Sequence, residues 1–244
     1  MTARFSVLGA PLDAVTPAEA VARLRAMLTS ETQNHVMTPN NEMLVYAASH
    51  PEFLALLNGT ALNLPDSTGV AWAMHRAGAS NQQRVTGVDT VQRLCAELGP
   101  DSPVFFLGGR ENVAGRAAAE LKRRNPALAV AGALEASPRA EDAAAIVAAV
   151  NESGARLLLV AYGAPKQDEW IEKHLQQMPA VRVAMGIGGT FDFIAGRIQR
   201  APKIFRAPGL EWLWRLLQEP SRFPRIWNAV VRFPLLVLHR DRRA

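Results

Sequence analysis

Up to about residue 196 the chain alternates short apolar or β-branched runs with longer stretches whose apolar positions recur three and four residues apart. The short runs predict strands at His35–Thr38, Ala61–Leu64, Val104–Leu107, Leu128–Ala131, Leu157–Ala161 and Arg182–Met185. The helical spacing predicts helices over Glu42–Leu57, Thr68–Ala77, Val88–Leu98, Asn112–Arg124, Ala140–Asn151 and Lys166–Gln177. Elements of these lengths in strict alternation imply right-handed βαβ units. The expected fold is therefore α/β, a Rossmann-like and mainly parallel sheet flanked by helices.

After Gly196 the texture changes. Pro202, Pro208, Pro220, Pro224 and Pro234 cut the segment into short pieces, and Leu210, Leu213, Trp214 and Leu217 fall at i, i+3, i+4 and i+7 of one helix, with Glu211, Arg215 and Gln218 elsewhere on the wheel. Residues 1–196 are expected to form the α/β domain and residues 197–244 a basic helical C-terminal appendage. A helix mixing Trp, Leu and Arg in this way suits a membrane interface. It equally suits simple packing on the body, and the residues alone leave both readings open.

Charge sharpens the division. From Arg197 onward eleven Lys and Arg stand against three acids, a net +8, whereas the first 196 residues hold 16 basic and 19 acidic residues, a net −3. A basic tail on a slightly acidic body calls for an anionic partner: a membrane, a nucleic acid or a phosphorylated substrate. The lone cysteine, Cys95, rules out an internal disulfide and sits at helical spacing in VDTVQRLCAEL, as a packed thiol would in a reducing compartment. The N-terminal stretch has no apolar run of the secretion-signal kind, and no run of about 18 apolar residues predicts a bilayer span.

Parallel sheets bind ligands beyond the carboxyl ends of their strands. The unusual peptides of this chain fall there: Thr38-Pro39-Asn40-Asn41, Pro65-Asp66-Ser67-Thr68-Gly69, Gly108-Gly109, Tyr162 to Gln167, and Gly186 to Thr190. Asp66 is placed to act as a general base toward a hydroxyl, or to cap the helix that follows. Gly108 and Gly109 let backbone approach a diphosphate, or simply make a tight turn; they do not form GxGxxG, and no ribose-binding acid follows. Pro165 suits a first helical turn, where Lys166 or Gln167 is either a ligand contact or a solvated helix start. Gly186, Gly188 and Gly189 allow close approach of either a ligand or a helix. The five histidines show no HxxxH or HExxH spacing and no Asp-x-Asp occurs, so neither a metal nor a cofactor is expected. If a diphosphate leaves, arginines must compensate its charge.

Read in order, VMTPNNEML, LNLPDSTGVAWA, RVTGVD, VFFLGGRENVA, YGAPKQDEWI, GIGGTFDFIAGRIQRAP and GLEWLWRLLQEPSR resemble the WecG/TagA/CpsF glycosyltransferase family from about Phe5 to Arg225. The resemblance implies an inverting, metal-independent transferase that moves N-acetylmannosamine, or its uronic acid, from UDP to undecaprenyl-diphosphate-linked N-acetylglucosamine. By the same resemblance Asp66 matches the base and Thr38 an activity-determining pocket threonine. Asn40, Asn41, Gly108, Gly109, Gln167, Gly188 and Gly189 become substrate-binding candidates. Arg215, Arg222 and Arg225 match appendage arginines that close over the diphosphate, and the appendage is the route to the inner face of the cell membrane. The family commonly has Asp-Gly where this chain has Asp66-Ser67, which bears on donor preference. Self-association is left open. Two other classes compete: a nucleotide-sugar oxidoreductase or epimerase, which lacks its dinucleotide fingerprint here, and a nucleic-acid-binding module using the basic tail.

Overall fold

A run such as Leu157–Ala161, apolar at every position, is stable only when covered on both faces. The computed structural model describes residues 3–80, 82–199, 201–202, 205 and 211–241, the side chains of Glu211, Arg215, Arg222, Arg240 and Asp241 excepted. It begins with an antiparallel hairpin, β1 (Arg4–Val7) and β2 (Ala10–Asp13). The hairpin turns through Leu8 and Gly9, both at positive φ (52° and 88°), as a two-residue turn matched to strand twist requires. The buried carboxylate of Asp13 accepts from Arg4 Nε at 3.0 Å and from the Asn63 backbone N–H at 2.8 Å, fastening the hairpin to the main sheet.

That sheet holds β3 (Asn34–Met37), β4 (Leu62–Asn63), β5 (Val104–Gly108), β6 (Val130–Leu134), β7 (Leu157–Ala161) and β8 (Val183–Gly186). All are parallel, in the order β4-β3-β8-β7-β5-β6. The expected α/β fold is the fold found. The helices are α1 (Pro17–Thr29), α2 (Asn41–Ala47), α3 (Pro51–Gly59), α4 (Thr68–Arg76), α5 (Gly87–Glu97), α6 (Val113–Arg124), α7 (Ala143–Glu152), α8 (Lys166–His174) and α9 (Thr190–Ile194). Most limits shift by one to three residues, and two differences have a plain local cause. The helix predicted over Glu42–Leu57 is two, because Pro51 has no N–H to continue it and holds His50 extended (φ −131°). The strand predicted from Leu128 starts at Val130, because Leu128 is still turning: its N–H donates to Asn125 O and its carbonyl accepts from Lys122 Nζ.

Strand alternation divides the core. Val104, Phe106, Leu157, Leu159, Val183 and Met185 face α1, α5, α6 and α9, while Phe105, Leu107, Leu158, Val160 and Ala184 face α7 and α8. A further core joins the hairpin to α2, α3 and α4. The helices that follow β5 and β8 thus lie opposite those that follow β7 and β3. Neighbouring strands hand the chain to opposite faces, and a crevice opens beyond their carboxyl ends. Cys95 is buried on α5, as expected of a packed thiol, and burial pushes it up to about 12.

The C-terminal segment contains α10 (Glu211–Gln218), a 3-10 turn (Pro220–Arg222), α11 (Phe223–Trp227), a π turn (Asn228–Arg232) and α12 (Phe233–Asp241). Pro220 opens a turn, as expected, but Pro224 and Pro234 do not cut the chain. Pro224 lies in the first turn of α11, where its missing N–H costs nothing, and the π turn ahead of Pro234 shifts the ladder so that Phe233 N–H donates to Asn228 O. Phe233 and Val237 are buried against α2 and α4, so the last helix packs on the body. Leu217, Phe223, Trp227, Leu235 and Leu238 stay exposed, Leu217 at 68%. Leu210 lies outside the described residues. Phe233→Ala is expected to lower unfolding stability by about 3–5 kcal/mol. Urea melts check this, and an unchanged midpoint would contradict the packing.

Candidate active site

The polar strand-end peptides converge on one cleft with two lobes. The larger, of about 820 Å³, lies over the ends of β3, β7 and β8; the smaller, of about 300 Å³, lies over α4 and against the C-terminal segment. Asn40, Glu42, Asp66, Val88, Phe193 and Arg225 line both, so Asp66 stands where the lobes meet. Thr38, Gly109, Gln167, Gly188 and Gly189 line the larger lobe and Asn41 the smaller. Gly108 lines neither. The side chains of Arg215 and Arg222 lie outside those described.

The two readings of Asp66 separate locally. Ser67 caps α4: it is extended (φ −133°, ψ 155°) and its hydroxyl accepts from the Val70 N–H at 3.1 Å. A serine takes this conformation without strain, so Ser67 in place of glycine leaves the turn intact. Asp66, released from capping, is half-buried and turns its Oδ1 to the Gly87 N–H at 3.0 Å, at the first residue of α5. Thr86 caps that helix, accepting from the Asp89 N–H at 3.1 Å and donating to the Asp89 carboxylate at 2.7 Å. The positive end of α5 therefore faces Asp66.

The other predicted residues build the walls. Buried Thr38 donates its hydroxyl to Gly186 O at 3.1 Å. Gln167, 2% exposed, accepts with Oε1 from the Gly163 N–H (3.2 Å) and the Gly188 N–H (2.9 Å), tying the loops after β7 and β8 together. Pro165, expected in the first turn of α8, stands one residue earlier as its cap, after a cis peptide bond. Gly109 (φ 79°) gives its N–H to Ala161 O at 3.2 Å, and a side chain there would strike Val113. The glycine pair therefore makes the tight turn, with the Gly109 N–H already taken. Asn40 caps α2 through the Met43 N–H at 3.0 Å. Asn41 donates to Ala229 O at 2.6 Å and accepts from the Ser67 hydroxyl at 2.6 Å, joining the body to the C-terminal segment. Arg225 lies 3.5 Å from Glu42 across the same junction.

Further side chains in the cleft escape the sequence reading. Arg197 binds Glu111 (2.8 and 3.1 Å) and Asp192 (3.1 Å) at the rim of the larger lobe. The hydrogen-bonded guanidinium holds the Glu111 carboxyl below the usual carboxylate range, and the two acids raise Arg197. At another part of the lobe Tyr46 and His50 stack with centroids 3.7 Å apart. Arg84 and Trp212 line the smaller lobe. Asp192, Arg197 and Arg84 sit inside the peptides GIGGTFDFIAGRIQRAP and RVTGVD, which was the available signal; nothing in the sequence pairs Tyr46 with His50. Among the described residues no three His, Cys, Asp or Glu side chains gather as a metal site would require.

A strand-end cleft with a carboxylate at the meeting of two lobes fits a reaction that joins two substrates. Residues 5–244 match the glycosyl transferase WecG/TagA/CpsF family, nearly the whole chain. The chain belongs to that family. It is accordingly a glycosyltransferase that takes a sugar donor and an acceptor, in the cell-surface polysaccharide synthesis that membership of the WecG/TagA/CpsF family implies. Asn41→Ala should remove the donor to Ala229 O and loosen the segment that walls the smaller lobe, at a cost of about 1–2 kcal/mol. Limited proteolysis reads this as faster cleavage after residue 200, and an unchanged cleavage rate would contradict it.

Proposed function

We propose that this glycosyltransferase transfers N-acetylmannosamine, or a closely related sugar, from UDP to undecaprenyl-diphosphate-linked N-acetylglucosamine by a single inverting displacement, with Asp66 as general base. The observation that carries the reading is the position of Asp66, half-buried where the two lobes meet and held by the Gly87 N–H. On this reading the larger lobe takes the UDP-sugar and the smaller the acceptor saccharide. Asp66 removes the proton from the acceptor hydroxyl as its oxygen attacks the anomeric carbon; the bond to the diphosphate breaks, and UDP leaves from the opposite face.

Charge growing on the departing UDP needs compensation. Arg110, Arg197, Arg225 and Arg232 line the larger lobe, and one well-aimed donor of this type is worth roughly 3 kcal/mol in the transition state. The metal-independent character of the reaction rests on this arginine lining. Arg215 and Arg222, given a closing role by the family resemblance, belong to the same proposal.

The appendage brings the enzyme to its lipid acceptor at the inner face of the cell membrane. Exposed Leu217, Phe223, Trp227, Leu235 and Leu238 lie on the same short segment as Arg225 and Arg232, a combination suited to an anionic lipid surface. Among the described residues no helix is long and apolar enough to cross a membrane. In an assay with UDP-N-acetylmannosamine and a short-chain lipid-diphosphate-N-acetylglucosamine acceptor, Asp66→Asn is expected to lower turnover by about 10³-fold. UDP affinity, measured by calorimetry, should be retained. Turnover close to wild type would remove Asp66 from the base role.

A further inference from the structure

Beneath the larger lobe lies a buried ionisable pair that takes no part in the chemistry above. Asp168, in the first turn of α8, is fully buried, and its Oδ1 lies 3.7 Å from Nε2 of buried His35 on β3. Neither carboxylate oxygen and neither imidazole nitrogen has a hydrogen-bond partner among the described residues. On the other side of the ring, Nδ1 lies 3.6 Å from the largely exposed carboxylate of Glu172, one turn further along α8. A buried carboxylate whose nearest donors stand too far off for well-formed hydrogen bonds is costly, and burial accordingly holds Asp168 above the usual carboxylate range, with His35, then the Gln167 side chain and the backbone, opposing.

Its surroundings are the cleft's own supports. Asp168 and Gln167 are consecutive, and both side chains press on the last residue of β8: a side chain at Gly186 would strike them both. The carbonyl of Gly186 holds the Thr38 hydroxyl, and Gln167 Oε1 holds the Gly163 and Gly188 N–H groups. We propose that His35 and Asp168 are a positioning pair: together they fix Gln167, and through it the Gly163 and Gly188 loops that shape the larger lobe. The consequence for ligand binding rests on that lobe being the UDP site; the positioning itself does not.

The test uses full-length protein and two readouts. Amide hydrogen exchange at Gly163 and Gly188 reports the loops without any ligand, and calorimetry with UDP reports the lobe. Asp168→Ala, and independently His35→Leu, should speed exchange at both glycines by about tenfold while the Gly87 amide, bonded to Asp66, keeps its protection. Asp168→Asn still presents a polar partner to the imidazole and should restore both glycines. His35→Leu leaves the start of α8 untouched, so it supplies the readout if Asp168→Ala does not fold. Wild-type protection at Gly163 and Gly188 in a folded His35→Leu or Asp168→Ala protein overturns the proposal, and so does an Asp168→Asn protein no better than Asp168→Ala. UDP affinity should fall with the loss of protection. Loosened glycines in a protein whose wild type binds no UDP would leave the pair in place and remove the donor reading instead.

Discussion

One hydrogen bond organises the cleft: the N–H of Gly87, at the start of α5, held by the carboxylate of Asp66. It exists because two capping decisions are made nearby. Ser67 caps α4, so Asp66 is not used up inside its own turn. Thr86 caps α5, so that helix begins where its positive end meets the loop after β4. A Cβ at Gly87 would lie in ordinary contact with Thr38 and Thr190, each 3.5 Å away, so the start of α5 sits close to the loops after β3 and β8. The loops after β3, β4 and β8 thus meet at Gly87, which the Asp66 carboxylate holds.

The C-terminal segment completes the site because of a local irregularity in a helix. Pro234 has no N–H to give, and Phe233 donates five residues back to Asn228. The carbonyl of Ala229 is left to Asn41, whose amide also receives the Ser67 hydroxyl. A chain of contacts therefore runs from the segment, through Asn41, to the residue next to Asp66. Phe233 and Val237 anchor the same helix in the body's core, while its neighbours leave apolar side chains exposed beside arginines. The packed reading of this segment holds for Phe233 and Val237, while Leu217, Phe223, Trp227, Leu235 and Leu238 are exposed on its three helices.

The sheet was legible where its strands are apolar end to end, and β7 emerges with the limits its LLLVA run predicts. The hairpin was not, because Leu8 occupies a turn position that asparagine or glycine usually signals. The candidate site was legible as a set of loops rather than as a set of roles. Asp66, Thr38 and Gln167 do reach the cleft, but each also holds backbone groups of a neighbouring loop, and Gly108 and Gly109 serve a turn. Roles of this kind depend on which donor meets which acceptor across 20 to 150 residues of sequence, as Asp66 to Gly87 and Thr38 to Gly186 do. Arg197 with Glu111 is a pairing of the same long range, and composition and spacing do not encode it.

The central claim is that donor and acceptor meet at Asp66 over the strand ends. A crystal structure of the full chain with UDP bound tests it most directly. The account predicts the nucleotide in the larger lobe, its terminal phosphate directed to the junction with the smaller lobe and to the Asp66 carboxylate. UDP bound outside this cleft, with Asp66 out of reach of the position its sugar would take, would contradict it.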